Sequence, residues 1–529
     1  MQNKRWFALL FLALGLAIVI IDGTVLNISL PYIIRDLNTS LDALEWVVAG
    51  YALIIASILI TVGRLGDIFG RKKIYMLGVV LFAIGSLIAS ESRSVGVLFL
   101  GEALIEAIGA AMMLTSSLAL VANEFSGRER AIAFGVWGAV AGGASALGPL
   151  LGGYLTTFHS WRWSLRINIF IALAVLAGSY FVHETKKQNN KKLDWAGMFL
   201  SFIGVFLLVF ALIEGQKFGW LKPKFIIAIS SWTWPLHTIS IIPFVLIGSA
   251  VFISAFLLFE AKAERNGNDP LLKLSIFRNK RLVAGLTIVL MLAMTQMGIF
   301  FVLPLFLQSA LDLSPFQVGL IFLSNSLAAL IAGSISGWLT NRIGIKNQIS
   351  IGIGLIAIGQ ISLVVLLSTS ITPFTLAPAL ILYGIGIGTT SAQLTNLVLS
   401  SVPAELAGEG SAVNATARQL GASLGVSLMS LVLSITMSNH LAQAIRQDQT
   451  IPPVPRYFIS SAIEDGEMTM DRSKLSESND DSPIALAIKQ HQKGALLLAS
   501  KNALSLSFLI SIPILILALF LPKQTSRYS

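Results

Sequence analysis

Two glutamates, Glu102 and Glu106, stand four residues apart in the stretch GEALIEAIGAAMM, inside a long apolar run. On a helix that spacing puts both on one face. A third acid, Asp22, lies within the first apolar run of the chain. A charged acid at the centre of a bilayer costs roughly 2.5–3.5 kcal/mol on insertion scales, so such residues usually mark an ion or substrate path. At a rise of about 1.5 Å per residue, Asp22 and Glu106 come to a similar depth below one surface, with Glu102 shallower. Acids that converge there would hold a proton between them and, once deprotonated, would attract a cation. Proton and lipophilic cation would then compete for one site, which suffices for exchange transport.

These acids need a scaffold that spans a membrane. The chain has 529 residues, of which 55% are hydrophobic and 12% charged, and its mean hydropathy is +0.79. About fourteen apolar runs are each long enough to cross roughly 30 Å of hydrocarbon as a helix. The chain therefore reads as an all-α polytopic membrane protein. The net charge of +10 is explained by topology rather than by nucleic acid. Basic residues gather in alternate loops: Lys4 and Arg5, Arg64 to Lys73, Arg128 and Arg130, Lys186 to Lys192, Lys262 to Arg281, Arg342 and Lys346, and Lys523 and Arg527. By the positive-inside rule both termini are cytoplasmic, in agreement with an even helix count. Trp220, Trp232, Trp234 and Pro235 mark residues 216–238 as an aromatic segment at the outer interface, and 438–496 reads as a long polar outer loop.

The chain also repeats itself. GRLGDIFGRKK from Gly63 and GWLTNRIGIK from Gly337 are 274 positions apart. The pairs Leu30-Pro31 and Leu303-Pro304, and Gly148 and Gly421, are each offset by 273. A shared offset predicts a duplicated six-helix bundle: residues 1–183 form one half, 282–529 the other, and 184–281 insert two helices between them. Duplicated halves are the architecture of rocking transporters with a site near the midplane.

Several motifs stand in the order expected of one family. They are DGTVLNISLP at 22–31, the pattern of Gly63, Leu65, Asp67, Gly70, Arg71 and Lys72, ASALGPLLGG at 144–153, WRWSLRIN at 161–168 and RQLG at 418–421. Together they resemble the major facilitator superfamily, and within it the fourteen-spanner drug:proton antiporter family, over nearly the whole chain. The resemblance implies a major facilitator fold with two six-helix bundles and two inserted helices. It implies a cytoplasmic latch made by Gly63, Arg64, Asp67, Gly70, Arg71 and Lys72, weaker in the second copy, where Asn341 replaces Asp67. It ties the bend at Gly148, Pro149, Gly152 and Gly153 to antiport. The family commonly has an arginine in helix 4 where this chain has Ala103, and Glu106 is the substitute offered here. In the second half Gln393, Asn396, Asn414 and Arg418 are candidate pocket residues, whereas Phe300, Phe301 and Phe306 suit packing or lipid.

The expected function is proton-coupled export of lipophilic, cationic drugs across the inner membrane. The partners are the drug, protons and membrane lipids, with a periplasmic adaptor as a further candidate and no nucleic acid. The alternatives are export of an endogenous lipid, siderophore or peptide, and a non-transporting sensor or scaffold. An enzyme is not expected: the five histidines have no metal-ligand spacing, there is no cysteine, and no phosphate-binding loop or cofactor site is present.

Overall fold

A computed structural model of the chain describes residues 2–39, 41–125, 127–184, 193–223, 228–229, 232–233, 238–403, 406–449, 451–452, 456–457, 460 and 483–521. Fourteen long helices are described. They are α1 Gln2–Asp36, α2 Leu41–Phe69, α3 Arg71–Ser90, α4 Val95–Glu124, α5 Gly127–Phe158, α6 Trp161–Gly178 and α7 Trp195–Phe218. The chain continues with α8 Ile242–Arg265, α9 Lys280–Ser309, α10 Pro315–Ile343, α11 Ile345–Leu366, α12 Ala377–Ser400, α13 Ala407–Gln447 and α14 Pro483–Leu519. Thirteen carry windows long and apolar enough to cross a membrane, and α5 is itself 32 residues long.

Local chemistry sets the ends. Ser314 caps α10 in a reciprocal box with Gln317, and Pro315 follows at the first helical position, where its missing N–H costs nothing. Asp194 accepts from the Gly197 N–H to start α7. Between α2 and α3 the chain turns on Gly70 alone, with φ 105°, and between α10 and α11 on Gly344 alone, with φ 78°. Both conformations favour glycine. The two sit 274 positions apart, so the repeat extends to the backbone.

The duplication is also visible in packing. Gly148 of α5 lies against Thr24 and the Ile21 carbonyl of α1, and Gly152 against Val25. In the second half Gly421 and Gly425 of α13 lie against the Leu290 and Met294 carbonyls of α9. Gly85 of α3 abuts Glu106 of α4, and Gly359 of α11 abuts Tyr383 of α12. The buried apolar residues divide accordingly. One large cluster is drawn mainly from α1–α6 and the other mainly from α9–α14.

The halves meet at two related seams. Gly63 of α2 faces Ala412 and the Gly408 carbonyl of α13, while Gly135 of α5 faces the Gly333 carbonyl and Gly337 of α10. Gly135 and Gly408 are themselves 273 apart. The inserted helices take unequal places. Val205 and Val209 of α7 pack with Leu53 and Ala56 of α2, and the Leu212 carbonyl accepts from Ser427 of α13. Helix α7 thus covers one seam, and α8 leans on α7 through the Ser249–Gly204 hydrogen bond of 2.8 Å.

Three sequence expectations change. The first spanner, expected to end at Leu30-Pro31, continues as helix α1 to Asp36. The segment before α8 contains a two-residue antiparallel ladder, Ala228–Ile229 with Trp232–Thr233. Much of the expected outer loop is helical: α13 reaches Gln447 and α14 begins at Pro483. Leu441, Ala442, Ile445, Ile451 and Ala495 pack together there, which supplies the apolar contact that a solvated connector lacks. Trp234, Pro235, Lys186 to Lys192, Lys523, Arg527 and residues 461–482 lie outside the described residues.

A glycine test follows. Gly421→Ala drives a methyl into the Leu290 backbone carbonyl, whereas Gly354→Ala meets nothing within 4 Å. Overpacking costs about 1–3 kcal/mol, while alanine is about 1 kcal/mol better than glycine in a helix interior. Thermal unfolding of the purified protein should show Gly421→Ala lowering the midpoint and Gly354→Ala holding or raising it.

Candidate functional site

Asp22, Glu102 and Glu106 converge. One carboxylate oxygen from each lies within 4.8 Å of those of the other two, and the three residues are 0–1% exposed. Glu102 is within hydrogen-bonding reach of both Asp22 and Glu106. The segment Phe99–Glu106 of α4 is a π-helix, and the Ala107 N–H reaches back to the Glu102 carbonyl. Such bulges recur at functional sites. This one carries Glu102 near its start and Glu106 at its end.

The neighbours come from three further helices. Asn168 of α6 donates through Nδ2 to Asp22 Oδ1 at 2.6 Å, to Ser86 Oγ at 3.1 Å and to Glu106 Oε1 at 3.4 Å. Ser86 of α3 donates to Glu106 Oε1 at 2.7 Å. Tyr51 of α2 is buried beside the three acids. Five oxygens of this cluster are buried without a partner: Asp22 Oδ2, Glu102 Oε2, Glu106 Oε2, Asn168 Oδ1 and the Tyr51 hydroxyl. Among the described residues no lysine, arginine or histidine forms an ion pair with the acids.

The sequence put Asp22 and Glu106 at a similar depth, with Glu102 shallower, on an ion or substrate path. They do meet, but inside the first six-helix half, enclosed by α1, α2, α3, α4 and α6. The reason is the close approach of α3 to α4 at Gly85, which turns Glu106 toward Ser86. Asp22 bonds Asn168, whereas Thr24 bonds its own helix at Ile21. Asn168, Ser86 and Tyr51 were missed as members of the cluster. Asn168 stood in view as the last residue of WRWSLRIN. That motif also anchors the opposite end of the half, where Trp161 Nε1 and Arg162 reach Asp36 at 3.0 and 2.6 Å.

A second constellation lies at the basic end of the bundle. Arg71 pairs with Asp67 at 2.8 Å, and this pair faces Gly408 in the first turn of α13. A Cβ at Gly408 would stand 2.5 Å from Asp67 Oδ1 and 2.8 Å from Arg71 Nη2. An acid there also complements the positive end of the α13 dipole. Arg64 reaches across to Asp269, in the segment after α8, at 2.5 Å. Lys72 is held by its backbone N–H, which donates to Glu184 at 3.0 Å. Gly66, Gly70 and Arg71 therefore crowd one corner, and Gly63 lies on α13 as above.

In helix α5, Gly148, Gly152 and Gly153 are buried, and Gly148 and Gly152 lie on α1. The Pro149 side chain lies outside the described residues, as does that of Asn341. In the second half Gln393 donates to the Ser336 carbonyl at 3.1 Å and to Thr340 Oγ1 at 2.9 Å, so its amide group ties α12 to α10. Asn396 and Asn414 are buried, Arg418 is half-buried, and Asn414 Oδ1 and Arg418 Nε have no partner. Phe306 is in the core, and Phe300 stacks near Phe322 with centroids 5.3 Å apart. Both pack within the second half.

The neutral counterpart of the acid cluster sits in that half. Asp22 corresponds to Thr295 at an offset of 273, and Ser86 to Gln360 at 274. Gln360 of α11 donates to Ser507 of α14 at 3.0 Å and accepts from Ser511 at 2.5 Å, and Ser507 donates to the Thr295 carbonyl at 3.4 Å. Both ends of the Gln360 amide are satisfied.

Comparison with known proteins fits this architecture. The model of the family described as Major Facilitator Superfamily matches residues 12–426. The chain is 29% identical over 471 residues to "Multidrug resistance protein Stp" of Mycobacterium tuberculosis (strain CDC 1551 / Oshkosh), covering 88% of this chain and 82% of that protein. It is 32% identical over 446 residues to "Puromycin resistance protein pur8" of Streptomyces alboniger, covering 83% and 84%. Among solved structures, the proton:xylose symporter XylE superposes with a TM-score of 0.57 at 14% identity, covering 99% of this chain and 97% of that one.

Replacing Asn168 by leucine removes the donor to Asp22 and Glu106. Leaving buried acceptors unpaired costs about 1–3 kcal/mol, more for charged groups. The expected result is a lowered thermal midpoint for Asn168→Leu in detergent, with a smaller loss for Asn168→Gln; equal curves for wild type and Asn168→Leu would contradict the hydrogen-bond geometry.

Proposed function

Because the chain belongs to the Major Facilitator Superfamily, we propose that it is a proton-coupled antiporter that exports lipophilic, cationic drugs across the inner membrane. The family is one of membrane transporters rather than enzymes. Relatives named for multidrug and puromycin resistance support a drug-like substrate. One observation carries the coupling: three carboxyl groups are buried within reach of one another and no basic residue neutralises them among the described residues. A hydrogen bond between two carboxyl groups needs a proton on one of them. The cluster is thus built to hold protons and to repel itself when they leave.

The residues of the first half exchange protons, and the second half has no acid at the matching place. The enclosed cluster supports an exchange in which drug and proton act on each other through α1 and α4, rather than by touching one carboxylate. The drug lies between the halves near the midplane, where Asn396, Asn414 and Arg418 are the polar residues proposed to meet it. Residues 1–183 and 282–529 are the rocking units, and 184–281 is the inserted pair that covers one seam. The Asp67–Arg71 pair against Gly408 and the Arg64–Asp269 pair form the latch at the cytoplasmic end. Both termini are cytoplasmic, as the basic loops require.

Everted membrane vesicles energised with a proton gradient test this reading. Ethidium uptake is expected in wild type and is expected to collapse in Glu106→Gln at equal expression. Equal uptake by the variant would remove Glu106 from coupling, and no wild-type uptake would remove the cationic substrate.

A further inference from the structure

The acid cluster has more oxygen than protons alone require. Five buried oxygens without partners surround it: one from each of Asp22, Glu102 and Glu106, the Asn168 carbonyl Oδ1 and the Tyr51 hydroxyl. They come from four helices, α1, α2, α4 and α6, so no single element constrains them to a local turn. Asn168 Nδ2 and Ser86 Oγ donate to Asp22 Oδ1 and Glu106 Oε1. These donors fix two of the carboxylates while their second oxygens stay unpartnered. The donor set contains only oxygen, which selects hard cations over zinc, copper or iron. Carboxylate oxygens within 4.8 Å of one another can share one ion at the about 2.3–2.6 Å distances typical of an ion of calcium radius. Magnesium keeps several waters, whereas the three acids are 0–1% exposed.

The second half supplies an internal comparison. At the related place Thr295, Gln360, Ser507 and Ser511 form a neutral chain of hydrogen bonds with both Gln360 amide atoms engaged. Helix packing alone is satisfied by that neutral solution. The same crossing in the first half instead carries three acids and unpartnered oxygens, so the acids answer to a ligand of positive charge.

We propose that Asp22, Glu102 and Glu106, with Asn168 Oδ1 and the Tyr51 hydroxyl, bind one dehydrated monovalent cation of sodium size in place of the protons. This rests on the reading of the cluster as the coupling site and extends it to a second ion. A monovalent ion is favoured over calcium because the ion of a transport cycle must leave as well as enter, and three carboxylates would hold a divalent ion in a dry cage.

The test is direct binding of radioactive sodium to purified full-length protein in detergent at fixed pH and ionic strength, with choline replacing sodium. Saturable binding of one ion per chain is expected. Asp22→Asn and Glu106→Gln should abolish it, and Asn168→Leu, Ser86→Ala or Tyr51→Phe should weaken it about 10–100-fold, the range for supporting residues of metal sites. A circular-dichroism melt of each variant identifies any that fail to fold, and Tyr51→Phe and Ser86→Ala are small enough changes to carry the test alone. Competition by calcium at lower concentration than sodium would overturn the monovalent assignment. No saturable sodium binding by the wild type would overturn the proposal. Neither result touches proton-driven ethidium uptake, so loss of that uptake with sodium binding intact would instead overturn the drug-export reading.

Discussion

Burial of three carboxyl groups in a hydrocarbon-spanning bundle, with no basic partner among the described residues, is the constraint on which the rest depends. Each would cost several kcal/mol if left charged and alone. The structure offsets this by gathering them, so that Asn168 and Ser86 serve two of them at once and a shared cation can serve all three. The close contact of α3 with α4 at Gly85 and the π-turn at Phe99–Glu106 are what make the gathering geometrically feasible. The acids come from α1 and α4, so their charge state bears on how those helices pack, and α1 is in turn held to α5 by the Gly148 and Gly152 contacts.

Duplication makes the asymmetry informative. Glycines at Gly63, Gly85, Gly148 and Gly152 have partners at Gly337, Gly359, Gly421 and Gly425, and most of these positions make equivalent close crossings. Against that shared frame the chemistry differs at two places. The first seam has a charged pair, Asp67–Arg71, whereas the second brings Gly135 onto Gly333 and Gly337. Where the second core has Thr295 and Gln360, the first has Asp22 and Ser86, with Glu102 and Glu106 beside them. One half thus carries ionisable groups where the other carries fixed hydrogen bonds.

Much of this was legible in the sequence because it is periodic or compositional. Apolar runs gave the helices, and the offset of Gly148 from Gly421 gave the repeat. Four-residue spacing correctly placed Glu102 and Glu106 on one face, and the wider π-turn preserves it. Partners brought together from distant segments leave no such trace. Nothing local links Arg64 to Asp269, 205 positions away, or Gly408 to Asp67. The direction in which the acids point was likewise hidden, because it is set by which helix comes close at Gly85. The helical continuation of α13 to Gln447 was masked by polar composition, which the apolar contacts of Leu441, Ile445 and Ala495 override.

The most direct test of the central claim, that this cluster holds exchangeable protons in the membrane interior, is labelling with a hydrophobic carbodiimide, which attacks protonated buried carboxyl groups, followed by peptide mass spectrometry. The account predicts adducts on the peptides bearing Asp22 or Glu102 and Glu106, slowed when an exported cation is present. Labelling confined to other buried acids, such as Glu214 or Glu260, with the cluster untouched and no effect of the cation, would contradict it.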